Sequence, residues 1–443
     1  MKPGEVINRK VELAEWETAY LPDLYLTAAD KKLLETLANI GRGGNGVVIE
    51  EVNRGVRIQT TSLVGVVQLE NFSVHIQPKL AGGNACLLDM LEIVSGISGL
   101  KRQTSARTIQ PEGRNLFDLI AYLLAEACAE VMKAGLLFDY LEREDTLGVL
   151  RGRLLVDRQM TRHFGQVDRL ECRFDEYESN TPDNQLLALA LKLADHQVKD
   201  PAVKTKVRRQ LGYFQEICDP TELDWRLFRA NVSYNRLNEH YRAAHELAWL
   251  VLDSFGFQDI LKLGRTDCFS FLLDMNLLFE QFIGKYLDII CSRHALKLKS
   301  QARTRSIIWS GQKSYRDVIP DYLIEPVSQP SLTGVLPVDA KYKLYQDKKV
   351  SNDDIYQTFL YAFAFNWQVE ATTVRQALLI YPVARKNPGI ENIEVRSVSG
   401  NSLGIIRVIG VYLPDLIAEL KSGKLLDQSN LIYAQIQAAL LKI

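Results

Sequence analysis

The spacing of apolar and polar positions changes along the chain, and the changes predict its organisation. Between residues 47 and 80 the runs VVIEEV, VRIQTTSLVGVVQLE and FSVHIQPKL have strand character and are broken by Asn-Arg-Gly and Glu-Asn turn signals. They predict a small β domain. Ahead of it, TAADKKLLETLANI reads as a helix stopped by the glycine-rich GRGGNG. Residues 97–115 are polar, basic and interrupted by Gly and Pro, which suits a linker or exposed loop. Helical spacing then takes over in LFDLIAYLLAEACAEVMKAGLL and, after an SNTPDN start signal, in NQLLALALKLADHQV. The intervening GVLRGRLLVDRQMTRHF and LECRFDEYES predict a hairpin or extended arm, and VKTKVRR at 203–209 a solvated basic helix face.

From about residue 246 the pattern becomes mixed. A helix is expected over FLLDMNLLFEQFIGKYLDIIC, strands near ALKLKS, RSIIW, DVIPDYLIE and LPVDAKY, a helix over NDDIYQTFLYAFAFNW and a strand at QALLIYP. Strand, helix and strand in succession predict a mixed sheet flanked by helices. The expected architecture is a multidomain α+β protein. It comprises a β-rich amino-terminal domain at 1–105, a mainly helical middle domain with a hairpin or arm at 106–245, and a mixed α/β domain at 246–443.

Composition narrows the function classes. The 443 residues leave room for two or three domains, and 47% hydrophobic with 24% charged residues is an ordinary globular balance. The net charge of −1 means that any nucleic-acid contact must come from local basic patches. Six cysteines without a C-x-x-C pair argue against a zinc site and suit a reducing cytoplasm. The amino terminus lacks the apolar core of a signal peptide, and no run of about 18 apolar residues occurs, so no membrane span is expected. GRGGNG matches G-x-G-x-x-G, but a dinucleotide loop needs a strand before it and a helix after it, the reverse of the order here. No G-x-x-x-x-G-K-[ST] run exists either, so nucleotide-driven work falls to a partner.

The candidate chemistry lies in the stretch VIPDYLIEPVSQPSLTGVLPVDAKYKLYQ at 318–346. With side chains alternating at period two, Asp339 and Lys341 project to one side of their strand and Ala340 and Tyr342 to the other. If Asp321, after Pro320, ends a neighbouring antiparallel strand, its carboxylate reaches the same space. Glu280 joins them by a different periodicity. On its helix Asp274, Gln281, Lys285 and Asp288 mark the solvent side, whereas Glu280 falls among Leu273, Ile283 and Leu287. A carboxylate on an apolar face is costly unless it is paired or binds a metal. Two aspartates suffice for Mg²⁺, which usually takes one or two protein carboxylates and fills its shell with water and phosphate; oxygen ligands suit Mn²⁺ as well. The bland alternative is a cross-strand ion pair between Asp339 and Lys341 and a separate buried ion pair at Glu280.

Together these residues resemble the PD-(D/E)xK nuclease superfamily, with Asp321, Asp339 and Lys341 as its strand acid and D-x-K, and Glu280 as its helix acid. The segments MNLLFEQFI, PDYLI, VDAKYK, DDIYQTFLYA and LLIYP, with the upstream LVGVVQLENFSVHIQPKL and LRGRLLVDRQ, extend the resemblance to the McrC family. That resemblance implies a Mg²⁺-dependent DNA endonuclease that docks on, and stimulates, a McrB-like hexameric AAA+ GTPase. It also implies self-association of the chain where both strands of double-stranded DNA are cut. Gln357 and Tyr361 match a Q-x-x-x-Y feature of related nucleases and would line the DNA side of the site. Alternatively, with Asp354 and Gln368, they form the polar stripe of an amphipathic helix.

DNA contact has local support in the eight basic residues and one acid between Lys285 and Arg316. Lys297, Lys299, Arg303, Arg305, Lys313 and Arg316, with Trp309 and Tyr315 interleaved, suit a duplex-tracking surface; basic residues on an edge strand also deter aggregation. By resemblance Arg151 and Arg153 would reach toward the motor, since an arginine supplied in trans can stabilise phosphoryl charge. Strand pairing or a solvated loop explains them equally well. Two other classes compete with the nuclease subunit: a non-enzymatic adaptor that binds DNA and activates a partner NTPase, and a stand-alone repair nuclease.

Overall fold

The structure is a computed structural model that describes residues 9–37, 46–95, 116–220, 223–253, 269–300, 307–327, 334–343, 349–365, 374–386, 389–424 and 427–441. The chain mixes helices and sheets and divides into two compact units, residues 1–100 with 272–443, and residues 101–271.

The first unit holds the charged constellation. Its largest sheet has six strands in the spatial order Leu296–Ser300, Tyr322–Pro326, Leu336–Ala340, Arg375–Pro382, Ser402–Val411 and Ile390–Arg396. The strand Arg375–Pro382 runs parallel to both of its neighbours, and the outer pairings are antiparallel. Parallel neighbours need a crossover. The helix Asn352–Phe365 provides it between Leu336–Ala340 and Arg375–Pro382. Burial follows position: Ala377 to Ile380 in the middle are almost fully buried, whereas the edge strand Ile390–Arg396 is largely exposed. A strand covered on both faces reads as a continuous apolar run, as QALLIYP does.

The same unit contains the strands Arg9–Ala14, Phe72–Gln77 and Leu63–Gln68 of a four-stranded sheet, whose last strand, Phe269–Asp274, enters the unit at Leu272, and a three-stranded sheet of Thr18–Pro22, Gly55–Gln59 and Val48–Val52. The β-rich character expected near 47–80 is present. The Asn-Arg-Gly signal is a two-residue hairpin turn, with Asn53 and Arg54 both at positive φ. GRGGNG lies almost wholly outside the described residues.

One expected boundary is corrected. The helix anticipated over FLLDMNLLFEQFIGKYLDIIC begins only at Met275, and Phe269–Asp274 is a strand. Asp274 is the cap: its carboxylate accepts the Asn276 N–H at 2.9 Å. An aspartate in extended backbone that satisfies an orphan amide starts a helix more effectively than it continues one. The apolar residues before it enter the sheet.

The second unit packs the helices Leu116–Ala134, Pro182–Gln197, Pro201–Ile217, Trp225–Asn231 and Arg242–Asp253. Thr181 caps one and Asp200 another, each followed by Pro at the first helical position. The arm is a long antiparallel ladder of Asp139–Leu147 with Leu170–Glu178, and Arg153–Leu154 pairs on the other side of the latter strand. No helix among the described residues is long and apolar enough to cross a membrane.

Candidate active site

The ladder between Tyr322–Pro326 and Leu336–Ala340 pairs Tyr322 with Val338. One step further, Asp321 and Asp339 stand opposite one another. Asp321 therefore precedes its strand instead of ending it. Pro320 has no N–H to give a ladder, so pairing starts after it, and in an antiparallel pair the start of one strand meets the end of the other. The Asp321 Oδ2 accepts the Ala340 N–H at 2.9 Å, which fastens the carboxylate across the strand end.

Asp339 is 1% exposed on a wholly buried strand. Lys341 Nζ donates to its Oδ1 at 3.1 Å and lies 3.0 Å from Oδ2. Burial pushes the Asp339 carboxyl up, with Lys341 only partly offsetting it. Asp321 is pushed up to about 8, by burial first and then by the charges of Asp339 and Glu280. Burial works against the Lys341 ammonium, yet Asp339 and Asp321 hold its pKa above the usual lysine range. Two buried carboxyls thus bear on one lysine.

Glu280 is buried at 4% exposure on the helix Met275–Arg293, while Lys285 and Asp288 of that helix face solvent. A close approach holds this helix to the Asp321 strand. The Tyr322 hydroxyl donates to the Glu280 carbonyl at 2.9 Å. The approach needs Gly284, because a Cβ there would sit 2.3 Å from the Tyr322 hydroxyl.

The fit to a divalent cation rests on these carboxylates. The two aspartyl carboxyls lie within hydrogen-bonding reach when Asp321 carries a proton. With both ionised, Asp339 Oδ2 is buried with no well-directed donor among the described residues. A cation would replace the proton and relieve the repulsion. Among the described residues no group of three His, Cys, Asp or Glu is arranged to hold a metal alone. Two carboxylates completed by water and phosphate is the usual habit of Mg²⁺, so the donor set fits.

Gln357 is exposed and its Nε2 donates to the Tyr361 hydroxyl at 2.6 Å; that hydroxyl donates to the Ile319 carbonyl at 3.1 Å. Tyr361 itself is 4% exposed, and burial, then the charges of Asp339, Asp321 and Glu280, raise its pKa. Tyr361 therefore steadies the loop before Asp321, and Gln357 is the member of the pair that meets solvent. Asp354 does not sit on a solvated stripe. It is 3% exposed and binds Lys343 Nζ at 2.7 and 3.0 Å, with Ser351 as a further donor.

Of the basic candidates, Lys297 and Lys313 are exposed, and Lys299 donates to Glu325 at 2.6 Å. Arg303 and Arg305 lie outside the described residues, and of Arg316 only the backbone, paired with Ile308, is described. Trp309 and Tyr315 are exposed at 55% and 74%. In the arm, Arg151 lies over the Phe174 ring at 4.2 Å and donates to Glu176 at 3.1 Å, and Arg153 is exposed opposite Arg173. Gly152 between them, at φ +67°, lets the chain pass where a Cβ would lie 2.3 Å from the Arg173 carbonyl.

A family model described as McrBC 5-methylcytosine restriction system component matches residues 58–382. No curated protein matches the chain. Among solved structures, it is similar to a chain of a refined half-complex from a tetradecameric assembly of Thermococcus gammatolerans McrB AAA+ hexamers with bound McrC. The TM-score is 0.52 at 19% identity, covering 93% of this chain and 99% of that one, a likeness of fold. It is also similar to a chain of a cryo-EM structure of the Thermococcus gammatolerans McrBC complex, with a TM-score of 0.41 and 22% identity over 63% of this chain and 87% of that one.

Proposed function

The chain belongs to the McrBC 5-methylcytosine restriction system component family, and from that premise we propose that it is the McrC-type nuclease subunit of such a system. It is a PD-(D/E)xK-type, Mg²⁺-dependent endonuclease acting on double-stranded DNA, docked on and stimulating a McrB-like hexameric AAA+ GTPase. The observation that carries this reading is the pair of opposed carboxylates, Asp321 and Asp339, sharing one lysine at the ends of two hydrogen-bonded strands.

Asp321 and Asp339 would hold the ion, and the charge of Glu280, felt at Asp321, would favour it from the helix. When bound, a divalent ion supplies positive charge to the scissile phosphate and a more acidic water. Asp339 and Asp321 favour the charged form of Lys341. Its part would be to donate to a phosphate oxygen and balance developing charge. Gln357, held by Tyr361, meets DNA at the solvent side, and Lys297 and Lys313 offer exposed charges to flanking phosphates. The solved assembly whose chain shares this fold joins AAA+ hexamers with McrC, which supports an AAA+ partner here. Arg153 is better placed than Arg151 to stimulate that partner, because Arg151 is engaged within the arm.

The test is cleavage of cytosine-modified duplex DNA by the complex reconstituted with its AAA+ partner. Asp339→Ala and Lys341→Ala should each lower the rate on the order of 10³-fold, by loss of charge stabilisation at the phosphate, while co-elution with the partner persists. Undiminished cleavage by both variants would overturn the nuclease assignment and leave the adaptor.

A further inference from the structure

We infer that Glu15 is a positioning residue for this site: from a turn in the amino-terminal segment its carboxylate clamps the Tyr342 hydroxyl and thereby fixes the chain that carries Lys341. The inference rests on the nuclease reading and deepens it.

Lys341 needs such a clamp. The ladder strand ends at Ala340, and beyond it Lys341 keeps one backbone bond to that sheet, its N–H to the Ile380 carbonyl at 2.9 Å. The placement of its ammonium then depends on what holds the residues that follow. Lys343 is held by Asp354. Tyr342 is held by Glu15, whose Oε2 accepts its hydroxyl at 2.7 Å across 327 residues of sequence. The Tyr342 ring also packs on Phe279, with centroids 6.0 Å apart, and Phe279 immediately precedes Glu280. One side chain thus touches both the segment of the D-x-K lysine and the helix of the third acid, Glu280.

The turn that presents Glu15 is built to be stiff. Trp16 adopts φ +58°, and the Glu15 N–H donates to the Gln77 carbonyl at 3.2 Å. Thr60 fastens the turn from the inside: its hydroxyl donates to the Ala14 carbonyl at 2.7 Å and accepts the Glu17 N–H at 2.8 Å. The Lys79 N–H donates to the same Glu15 oxygen that takes Tyr342, at 2.7 Å.

Stability alone does not account for this carboxylate. Glu15 is fully buried, and its second oxygen, Oε1, has no hydrogen-bond partner among the described residues. Burial pushes its carboxyl up to about 7, with the Lys79 amide and the Tyr342 hydroxyl opposing and Asp274 adding to the rise. An apolar pair of similar volume would fill the space at lower cost, so a half-satisfied buried acid needs a reason in geometry.

The experiment uses the full-length chain with Glu15→Ala, Glu15→Gln, Tyr342→Phe and the double variant Glu15→Ala/Tyr342→Phe. Mn²⁺ affinity is measured by calorimetry, and kcat and KM for DNA with the partner-bound complex. Glu15→Ala should lower Mn²⁺ affinity and kcat about 10- to 100-fold, the usual cost of losing an outer support of a metal site, with KM for DNA unchanged. Glu15→Gln keeps a carbonyl acceptor for Tyr342 and should restore most of the loss. Glu15→Ala should cost nothing further in the Tyr342→Phe background, because the effect runs through that hydroxyl. If Glu15→Ala fails to fold, Tyr342→Phe alone must show the same loss. Wild-type kcat and Mn²⁺ affinity in Tyr342→Phe, or additive losses in the double variant, would overturn the inference and leave the nuclease reading standing. A wild-type chain that neither binds Mn²⁺ nor cleaves would remove that reading and this inference with it.

Discussion

The arm and the candidate site use the same residue types to opposite effect. Along the Asp139–Leu147 and Leu170–Glu178 ladder, acids and arginines are matched: Arg143 with Glu178, Arg173 and Arg158 with Glu144, Arg151 with Glu176. Bonding to Arg173 lowers the Glu144 pKa, and bonding to Arg143 lowers that of Glu178. At the strand ends Asp321 and Asp339 bear on one lysine, Lys341, and burial raises both aspartates. Matched exposed charges are a solvated surface and contribute little to stability. An unmatched buried excess of one sign is tolerated only where something else is meant to bind. The difference sets a buried cluster suited to binding a cation apart from an exposed one suited to solvation.

Three changes break or sharpen that contrast, in descending effect. Gly284→Ala should be the most disruptive, since the new Cβ meets the Tyr322 hydroxyl at 2.3 Å. Overpacking of this kind costs about 1–3 kcal/mol, so thermal unfolding should shift down, and cleavage should fall because the Glu280 helix and the Asp321 strand move apart. A wild-type melting temperature and rate in this variant would show that the approach is dispensable.

Asp321→Asn should act in the other direction on stability. An acid whose folded pKa lies near 8, above its ordinary value of 3.8, binds its proton more tightly folded than unfolded. Between about pH 4 and 8 the folded chain holds more protons, so stability of the metal-free protein falls as pH rises through that window. The amide removes this slope. The variant should melt on the order of 2 °C higher than wild type at pH 8 in chelator, with cleavage lost. Parallel melting curves for the two proteins across that range would contradict the charge excess. In the arm, Arg173→Ala should leave the melting temperature nearly unchanged, as expected for an exposed ion pair, and leave cleavage chemistry alone; a loss of cleavage comparable to that of the site variants would erase the contrast.

The sequence exposes those parts of the fold that depend on local spacing. The runs at 322–326, 336–340 and 375–382 are strands because each is short, mostly apolar and largely buried. D-x-K is legible because period two forces Asp339 and Lys341 to one side, and Glu280 because helical period three and six tenths sets it among apolar neighbours. Phe269–Asp274 was not legible as a strand, since a short apolar run fits either period and the capping role of Asp274 depends on where the helix starts. Asp354 looked like a solvated helix residue because Lys343 and Ser351, which bury it, belong to the preceding loop. Glu15 gave no signal at all. Its partner lies in a distant segment, and no local pattern shows that residues 1–100 share a compact unit with 272–443.

The central claim is that Asp321 and Asp339 hold a divalent cation beside Lys341. Calorimetric titration of the full-length chain with Mn²⁺ tests it most directly, comparing wild type, Asp339→Asn and, as the surface control, Arg173→Ala. The account predicts one saturable site in wild type and in Arg173→Ala, weakened at least tenfold in Asp339→Asn as expected for loss of a ligating carboxylate. Equal binding by all three proteins would place the ion elsewhere and contradict the account.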